Sequence, residues 1–174
     1  DILKDVIINF DKEFKNKKRE RNIIDFNDIE HYALEILVRK NERGEYEPTE
    51  VAKKYQEKFE EIAIDEYQDS NQVQEYILSM VSRKNNLFMV GDVKQSIYKF
   101  RQACPELFME KYDNYDLSGN KNGLKIQLFK NFRSKENVLE LTNTIFENIM
   151  SKKLGDIDYN KNEFLNLGAE FENV

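Results

Sequence analysis

A short apolar run, Ile62-Ala63-Ile64, stops abruptly at Asp65-Glu66-Tyr67-Gln68-Asp69. The run predicts a buried strand, and Asp65 and Glu66 then sit where that strand leaves its sheet. In open α/β sheets, ligands bind at the carboxyl ends of strands. Two adjacent carboxylates at such a place suit two tasks. One can hold a hard cation such as Mg²⁺. The other can orient an attacking water or take its proton. An isolated Asp-Glu pair is more simply an acidic turn, so the weight of this feature comes from what surrounds it.

The surroundings repeat the pattern. Leu87-Phe88-Met89-Val90 is a continuous apolar run of strand length, as expected of a parallel strand buried on both faces, and it ends at Gly91-Asp92. Leu124, Ile126 and Leu128 alternate with polar residues and predict a third strand, which leaves into Asn131-Phe132-Arg133-Ser134. Helical spacing joins Leu3, Val6, Ile7, Phe10 and Phe14. Lys12, Lys15, Lys17, Lys18, Arg19 and Arg21 form a basic cluster on or beside that helix, more often a solvated face than a nucleic-acid site. Asn27 with Glu30 resembles a capping box for a helix whose inner stripe is Ile29, Ala33, Ile36 and Leu37. A polar turn over 41–48 precedes a helix over 50–59 with Val51, Tyr55 and Phe59 inward. Val73, Ile77, Met80 and Val81 carry a helix over 70–82. Pro105 suits the first turn of a helix reaching about Tyr115. Ser134 is placed to cap a helix with Val138, Leu141, Ile145 and Ile149 inward, and the tail from Lys152 is polar. Helix alternating with strand is the pattern of an α/β domain with a mainly parallel sheet and flanking helices.

Composition narrows the function classes. The length of 174 residues suggests one domain, or one domain and part of another. A formal charge of -6 argues against a chain coated in positive charge, yet leaves room for a local basic groove. The single cysteine, Cys104, allows no internal disulfide and fits a reducing compartment. His31 is the only histidine, which excludes a histidine-based metal cluster. No apolar stretch approaches a membrane span, so no membrane partner is expected. The chain opens inside a helical pattern without Met and is expected to be a piece of something longer.

Three polar clusters therefore follow three strands: Asp65–Asp69, Gly91–Arg101 and Asn131–Ser134. Phosphoryl transfer needs a metal, a positioned water and cationic charge on the transferring group. Asp65 can supply the metal contact and Glu66 the water contact. Gln95 is a neutral amide able to sense a terminal phosphate. Arg133 offers a planar fork that matches phosphate oxygens, and Phe132 can stack on a base. Tyr98 and Phe100 interleave with Lys94, Lys99 and Arg101, as a sequence-tolerant single-strand track requires. Ordinary core packing is the plainer alternative for Tyr98 and Phe100.

The three clusters resemble motifs II, III and IV of superfamily-one helicases of the UvrD/Rep kind, written Asp-Glu-x-Gln-Asp, Gly-Asp-x-x-Gln-Ser-Ile-Tyr-x-(Trp/Phe)-Arg and Asn-(Tyr/Phe)-Arg-Ser. They occur in the family's order. Asp25-Phe26-Asn27-Asp28-Ile29-Glu30-His31, the Lys94 variant of the second cluster, and Pro105-Glu106-Leu107-Phe108 followed by Lys111-Tyr112 are similar, more closely, to the AddA family of bacterial helicase–nuclease proteins. The resemblance implies an incomplete RecA-like P-loop NTPase domain. Residues 1–22 would end an inserted helical subdomain, 23–130 would belong to the first motor lobe, and 131–174 would open the second. It further implies that Asp65 binds the Mg²⁺ of Mg-ATP, Glu66 activates water, and Gln95 contacts the γ-phosphate. Arg133 would be an arginine finger and Phe132 an adenine platform, with Tyr98, Phe100 and Arg101 on single-stranded DNA. Implied partners are single-stranded DNA, duplex ends and an AddB-type protein. The implied setting is bacterial cytoplasm, and the parent activity is that of a helicase and exonuclease processing double-strand breaks. Tyr67 stands where Phe is commoner, Gln102 where Gly often follows the Arg, and Phe100 where many relatives have Trp.

The sequence has no Gly-x-x-x-x-Gly-Lys-(Ser/Thr) phosphate loop, which family order places upstream. The isolated chain is therefore expected to release negligible phosphate from ATP. Without the phosphate-loop strand beside it, Leu87–Val90 is expected to be an apolar edge through which the isolated chain self-associates, as sedimentation would read. Alternatives are a repair helicase without a nuclease, a non-catalytic binding module, and a nuclease built on Asp65 with Asp92-Val93-Lys94. The last leaves Glu66, Gln68, Gln95 and the Asn131 cluster unexplained.

Overall fold

The computed structural model describes residues 2–119, 122–154, 157–161 and 163–170, with Arg101 described through its backbone alone. The described chain is α/β and divides into two compact units, one of residues 1–91 with 97–105 and one of 92–96 with 106–174.

The first unit opens with α1 (Ile2–Arg21) and α2 (Phe26–Leu37). Next come the antiparallel strands β1 (Val38–Lys40) and β2 (Tyr46–Pro48), followed by α3 (Glu50–Lys58). Strand β3 (Ile62–Ile64), helix α4 (Gln72–Val81) and strand β4 (Leu87–Met89) complete its regular elements. Of the polar turn expected over 41–48, residues 41–45 form the bend of the β1–β2 hairpin, whereas Tyr46–Pro48 are strand β2. In the bend, Gly44 takes φ +79°, and Asn41 Oδ1 accepts the N–H groups of Arg43 and Glu45 at 3.0 Å each.

Leu37, Ala52, Met80 and Val81 form the core, with Ala33, Val38, Ile62 and Ile77 packed against it. Ala52, rather than Val51 or Tyr55, is the buried position of α3. Gln56 Nε2, four residues on, donates to Met80 O at 2.8 Å, which ties this helix to α4. Tyr55 and Phe59 instead stack on one another, 5.3 Å between centroids.

The N-terminus of α2 is capped by Asp25 and Asp28, not by Asn27 and Glu30. Asp25 Oδ1 accepts the Asp28 N–H, and Asp28 Oδ2 accepts the Asp25 N–H, both at 2.9 Å. Lys18, nearly buried, donates to Asp28 at 2.6 Å and Asp25 at 3.0 Å and so ties the last turn of α1 to this cap. Glu30 faces the next cap along, accepting from Gln74 Nε2 at 2.8 Å. The Lys18 ammonium and then the Asp25 N–H hold the Asp28 carboxyl below the ordinary carboxylate range. Because the folded value is the lower one, this contribution to stability is complete above the ordinary value of about 3.9 and fades as pH falls through the folded value. Asp28→Asn should therefore speed amide exchange at the end of α1 at pH 7, with the difference from wild type closing in acid. An equal difference at pH 7 and pH 3 would refute this account of the cap.

Strands β3 and β4 pair in parallel, Ile62 opposite Leu87 and Ile64 opposite Met89. The pairing continues into the turn, where the Val90 N–H donates to Ile64 O and the Tyr67 N–H to Val90 O. Among the described residues β3 is the only strand beside β4, and Phe88 is 54% exposed. Burial of β4 on both faces is thus not met among the described residues, none of which pairs with its second side.

The second unit holds α5 (Pro105–Asn114) from Glu106 onward, β5 (Lys130–Asn131), α6 (Glu136–Ile149) and β6 (Asn166–Leu167). The strand expected over 124–128 is reduced to a single bridge, Asp116 with Leu124. Regular pairing begins only at β5, parallel to β6. Alternation favours a strand only where a partner ladder exists, and Leu128 is 86% exposed. On α6 the buried residue is Leu139, while Val138, Leu141, Ile145 and Ile149 face outward. Lys135 occupies the cap position expected for Ser134 and makes no side-chain cap. Asn131 Oδ1 accepts the N–H groups of Arg133 and Ser134, both at 2.9 Å, and shapes the turn into the helix. Asn143, on α6, gathers the tail: its Oδ1 accepts from Tyr159 Oη at 2.7 Å and from Leu165 N at 2.9 Å.

Candidate functional site

In the first unit, β3 delivers Asp65 and Glu66 to the surface at its carboxyl end, and both are exposed. Asp65 Oδ1 accepts the Glu66 N–H at 2.9 Å. Glu66 takes φ 50°, ψ 41°, a left-handed conformation that costs a non-glycine residue free energy and recurs at functional sites. A single 3₁₀ turn, Tyr67–Asp69, follows. Its anchors are buried: Tyr67, whose hydroxyl donates to Glu75 Oε2, and Gln68, whose Nε2 donates to Glu66 Oε2 at 2.7 Å. Burial, and then the Glu66 charge, push the Asp69 carboxyl above its ordinary range, and Asp69 Oδ1 is buried with no hydrogen-bond partner. The turn thus presents two carboxylates outward from a fixed base.

Tyr98 and Phe100 also belong to this unit, their ring centroids 6.0 Å apart. Phe100 is 77% exposed, so packing among the described residues does not account for it. The 3₁₀ turn Lys99–Arg101 ends at Gln102 with φ 67°. That left-handed conformation is the physical reason a glycine suits this position. The Cys104 N–H donates to Ser70 O at 2.9 Å and joins this stretch to the end of the Tyr67–Asp69 turn. For Arg101 the expected DNA contact lies outside the described side chains.

Gln95, Phe132 and Arg133 fall in the second unit. Gln95 closes the 3₁₀ turn Val93–Gln95, and its Nε2 donates to Asp92 Oδ2 at 3.2 Å. The same Asp92 caps the turn through Lys94 N. Lys94 Nζ lies 2.9 Å from Asp92 Oδ1 and 3.0 Å from Glu163 Oε2. Burial alone would depress the Lys94 ammonium, but these two carboxylates outweigh it and raise the group above its ordinary value. A nuclease lysine must face substrate, so this engagement disfavours the acid…acid-x-Lys alternative. Phe132 and Arg133 are exposed on the turn that Asn131 shapes. A Cβ added at Gly168 would lie 2.9 Å from the Phe132 ring, so only glycine lets the chain approach that ring so closely. Gly168, Glu163 and the buried bond of Gln68 escaped sequence reasoning. Only Gln68 carried a signal, through its place beside two acids.

Among the described residues, no group of three or more His, Cys, Asp and Glu side chains is placed to hold a metal ion, and no helix is long and apolar enough to cross a membrane.

The family model described as UvrD/REP helicase N-terminal domain matches residues 2–116. The chain is 58% identical over 174 residues to an ATP-dependent helicase/nuclease subunit of Thermoanaerobacter sp. (strain X514), a match covering 99% of this chain and 14% of that protein. Proteins of the same name match from Clostridium acetobutylicum, 54% identical over 99% of this chain and 14% of theirs, and Clostridioides difficile, 56% identical over 95% of this chain and 13% of theirs. The chain thus spans about 14% of the length of these curated relatives.

Proposed function

The chain belongs to the UvrD/REP helicase family, and from that premise we propose that it forms the middle part of an ATP-dependent DNA helicase motor, with residues 23–130 in the first motor lobe and 131–174 opening the second. The parent protein would couple Mg-ATP hydrolysis to movement along single-stranded DNA. Its partner would be an AddB-type protein, and its work the processing of double-strand breaks in the bacterial cytoplasm. The observation that carries this reading is the delivery of Asp65 and Glu66, exposed, at the carboxyl end of β3 on a turn anchored by buried neighbours.

The donor set fits a magnesium ion held with substrate. Mg²⁺ keeps several waters and takes one or two carboxylates plus phosphate oxygens, and Asp65 is one exposed carboxylate of that kind. Bound there, the ion would neutralise charge on the phosphate oxygens. Glu66 orients water and accepts its proton. Gln95, fixed by Asp92, reads the terminal phosphate. Arg133 meets the charge that develops on the transferring group, and Phe132 stacks on the base. Tyr98 and Phe100, with Arg101, contact the single strand. The cradle for the remaining phosphates is not supplied by these residues, since the sequence has no phosphate loop.

The coupling between hydrolysis and DNA is tested at Phe100. Stacking contributes about 1–3 kcal/mol per base by alanine substitution. In the full-length protein, Phe100→Ala should weaken single-strand binding and depress unwinding more than basal ATPase, with Tm unchanged because the ring is exposed. A large fall in Tm with proportional loss of both activities would assign Phe100 to packing instead.

A further inference from the structure

Gln68 takes no part in the roles assigned above, and its surroundings give it one. Its side chain is fully buried, at 0% exposure, where an amide is costly unless its polar atoms are bonded. Its Nε2 donates to Glu66 Oε2 at 2.7 Å, a charge-assisted bond from an immobile group to a carboxylate on the surface. Two further features act on the same residue. The left-handed backbone of Glu66 fixes where its side chain starts. Asp69, whose buried Oδ1 lacks a hydrogen-bond partner, places a second carboxyl in the same turn and disfavours the approach of Glu66 to itself.

We infer that Gln68 is a positioning residue for hydrolysis: its buried amide clamps one oxygen of the Glu66 carboxylate and so aims the other, Oε1, at the attacking water. The inference rests on Glu66 being the water-activating group. In the step it serves, the water oxygen forms a bond to the terminal phosphorus as its proton passes to Glu66 Oε1. The bond from that phosphorus to the bridging oxygen breaks, and its electron pair leaves with the diphosphate. Gln68 neither gives nor takes a proton.

The test uses the full-length protein with saturating single-stranded DNA. Gln68→Met keeps the length of the side chain and removes the donor. It should lower kcat for ATP about 10- to 100-fold, as a displacement of about 1 Å at a reacting group does, with KM for ATP nearly unchanged. Combined with Glu66→Gln it should add no further loss, because the clamp then has no carboxylate to aim. Additive losses, or a rise in KM that accounts for the defect, would overturn the clamp. So would a wild-type kcat in Gln68→Met beside an inactive Glu66→Gln, and that result leaves the role of Glu66 standing. An active Glu66→Gln removes the reading underneath. Should Gln68→Met fail to fold, Gln68→Glu decides. The introduced carboxyl donates only while protonated, so kcat relative to wild type should fall as pH rises, and a ratio that does not change with pH overturns the proposal.

Discussion

Glu66→Gln should abolish ATP hydrolysis by the full-length protein while leaving ATP binding nearly intact. The substitution is unusually clean at this position. Gln has the same length and the same tolerance of the left-handed backbone that Glu66 adopts. Its carboxamide oxygen can still accept from Gln68 Nε2, which now meets Glu66 Oε2 at 2.7 Å. What changes is basicity, because a carboxamide cannot take the water's proton. Loss of a positioned general base costs about 10²–10⁴ in rate. Phosphate release with and without single-stranded DNA, beside equilibrium ATP binding, checks both halves. Near-normal turnover or unwinding would remove Glu66 from the chemistry.

Arg133→Ala should lower hydrolysis by about 10³–10⁵, the general scale for an arginine that stabilises charge on a transferring phosphoryl group. The structure separates this loss from a folding defect. Arg133 is exposed, and its turn is shaped by Asn131 Oδ1 accepting the N–H groups of Arg133 and Ser134. Those bonds involve the backbone and survive the substitution, so Tm should hold. Arg133→Lys should recover little, since a point charge does not reproduce the planar two-pronged donor. Hydrolysis within tenfold of wild type in Arg133→Ala would refute the assignment.

The strand ends were legible because short apolar runs that stop at acids leave few options. Both β3 and β4 stand where their runs predict, parallel and in register. Helices α3, α4 and α5 begin within a residue or two of their expected starts. Less legible was which face of a helix is inward. Helical spacing identifies a stripe but not its partner, so Val138, Leu141, Ile145 and Ile149 are exposed while Leu139 is buried. Caps failed for a similar reason. Asp25 and Asn27 are both competent N-caps, and the choice falls to Asp25 because Lys18, seven residues back, reaches it and Asp28. The segment over 124–128 alternates like a strand, yet a ladder needs a neighbour, and only Lys130–Asn131 finds one, in β6. Gln68 sat in plain view without a role because a sequence displays neighbours and not the depth at which they lie.

In the role proposed for Glu66, its left-handed turn sets stability against activity. Only Asn22, Glu66 and Gln102 hold positive φ without being glycine among the described residues, and such a conformation costs a residue like glutamate about 1 kcal/mol or more. Gly or Asn at this position would relax the backbone and, with it, remove the carboxylate proposed to take the water's proton. A population of sequences selected for thermal endurance alone would drift away from glutamate here, and one selected for turnover would be held to it. Position 66 is therefore where a consensus or ancestral stabilisation campaign on this chain would gain melting temperature and lose the enzyme.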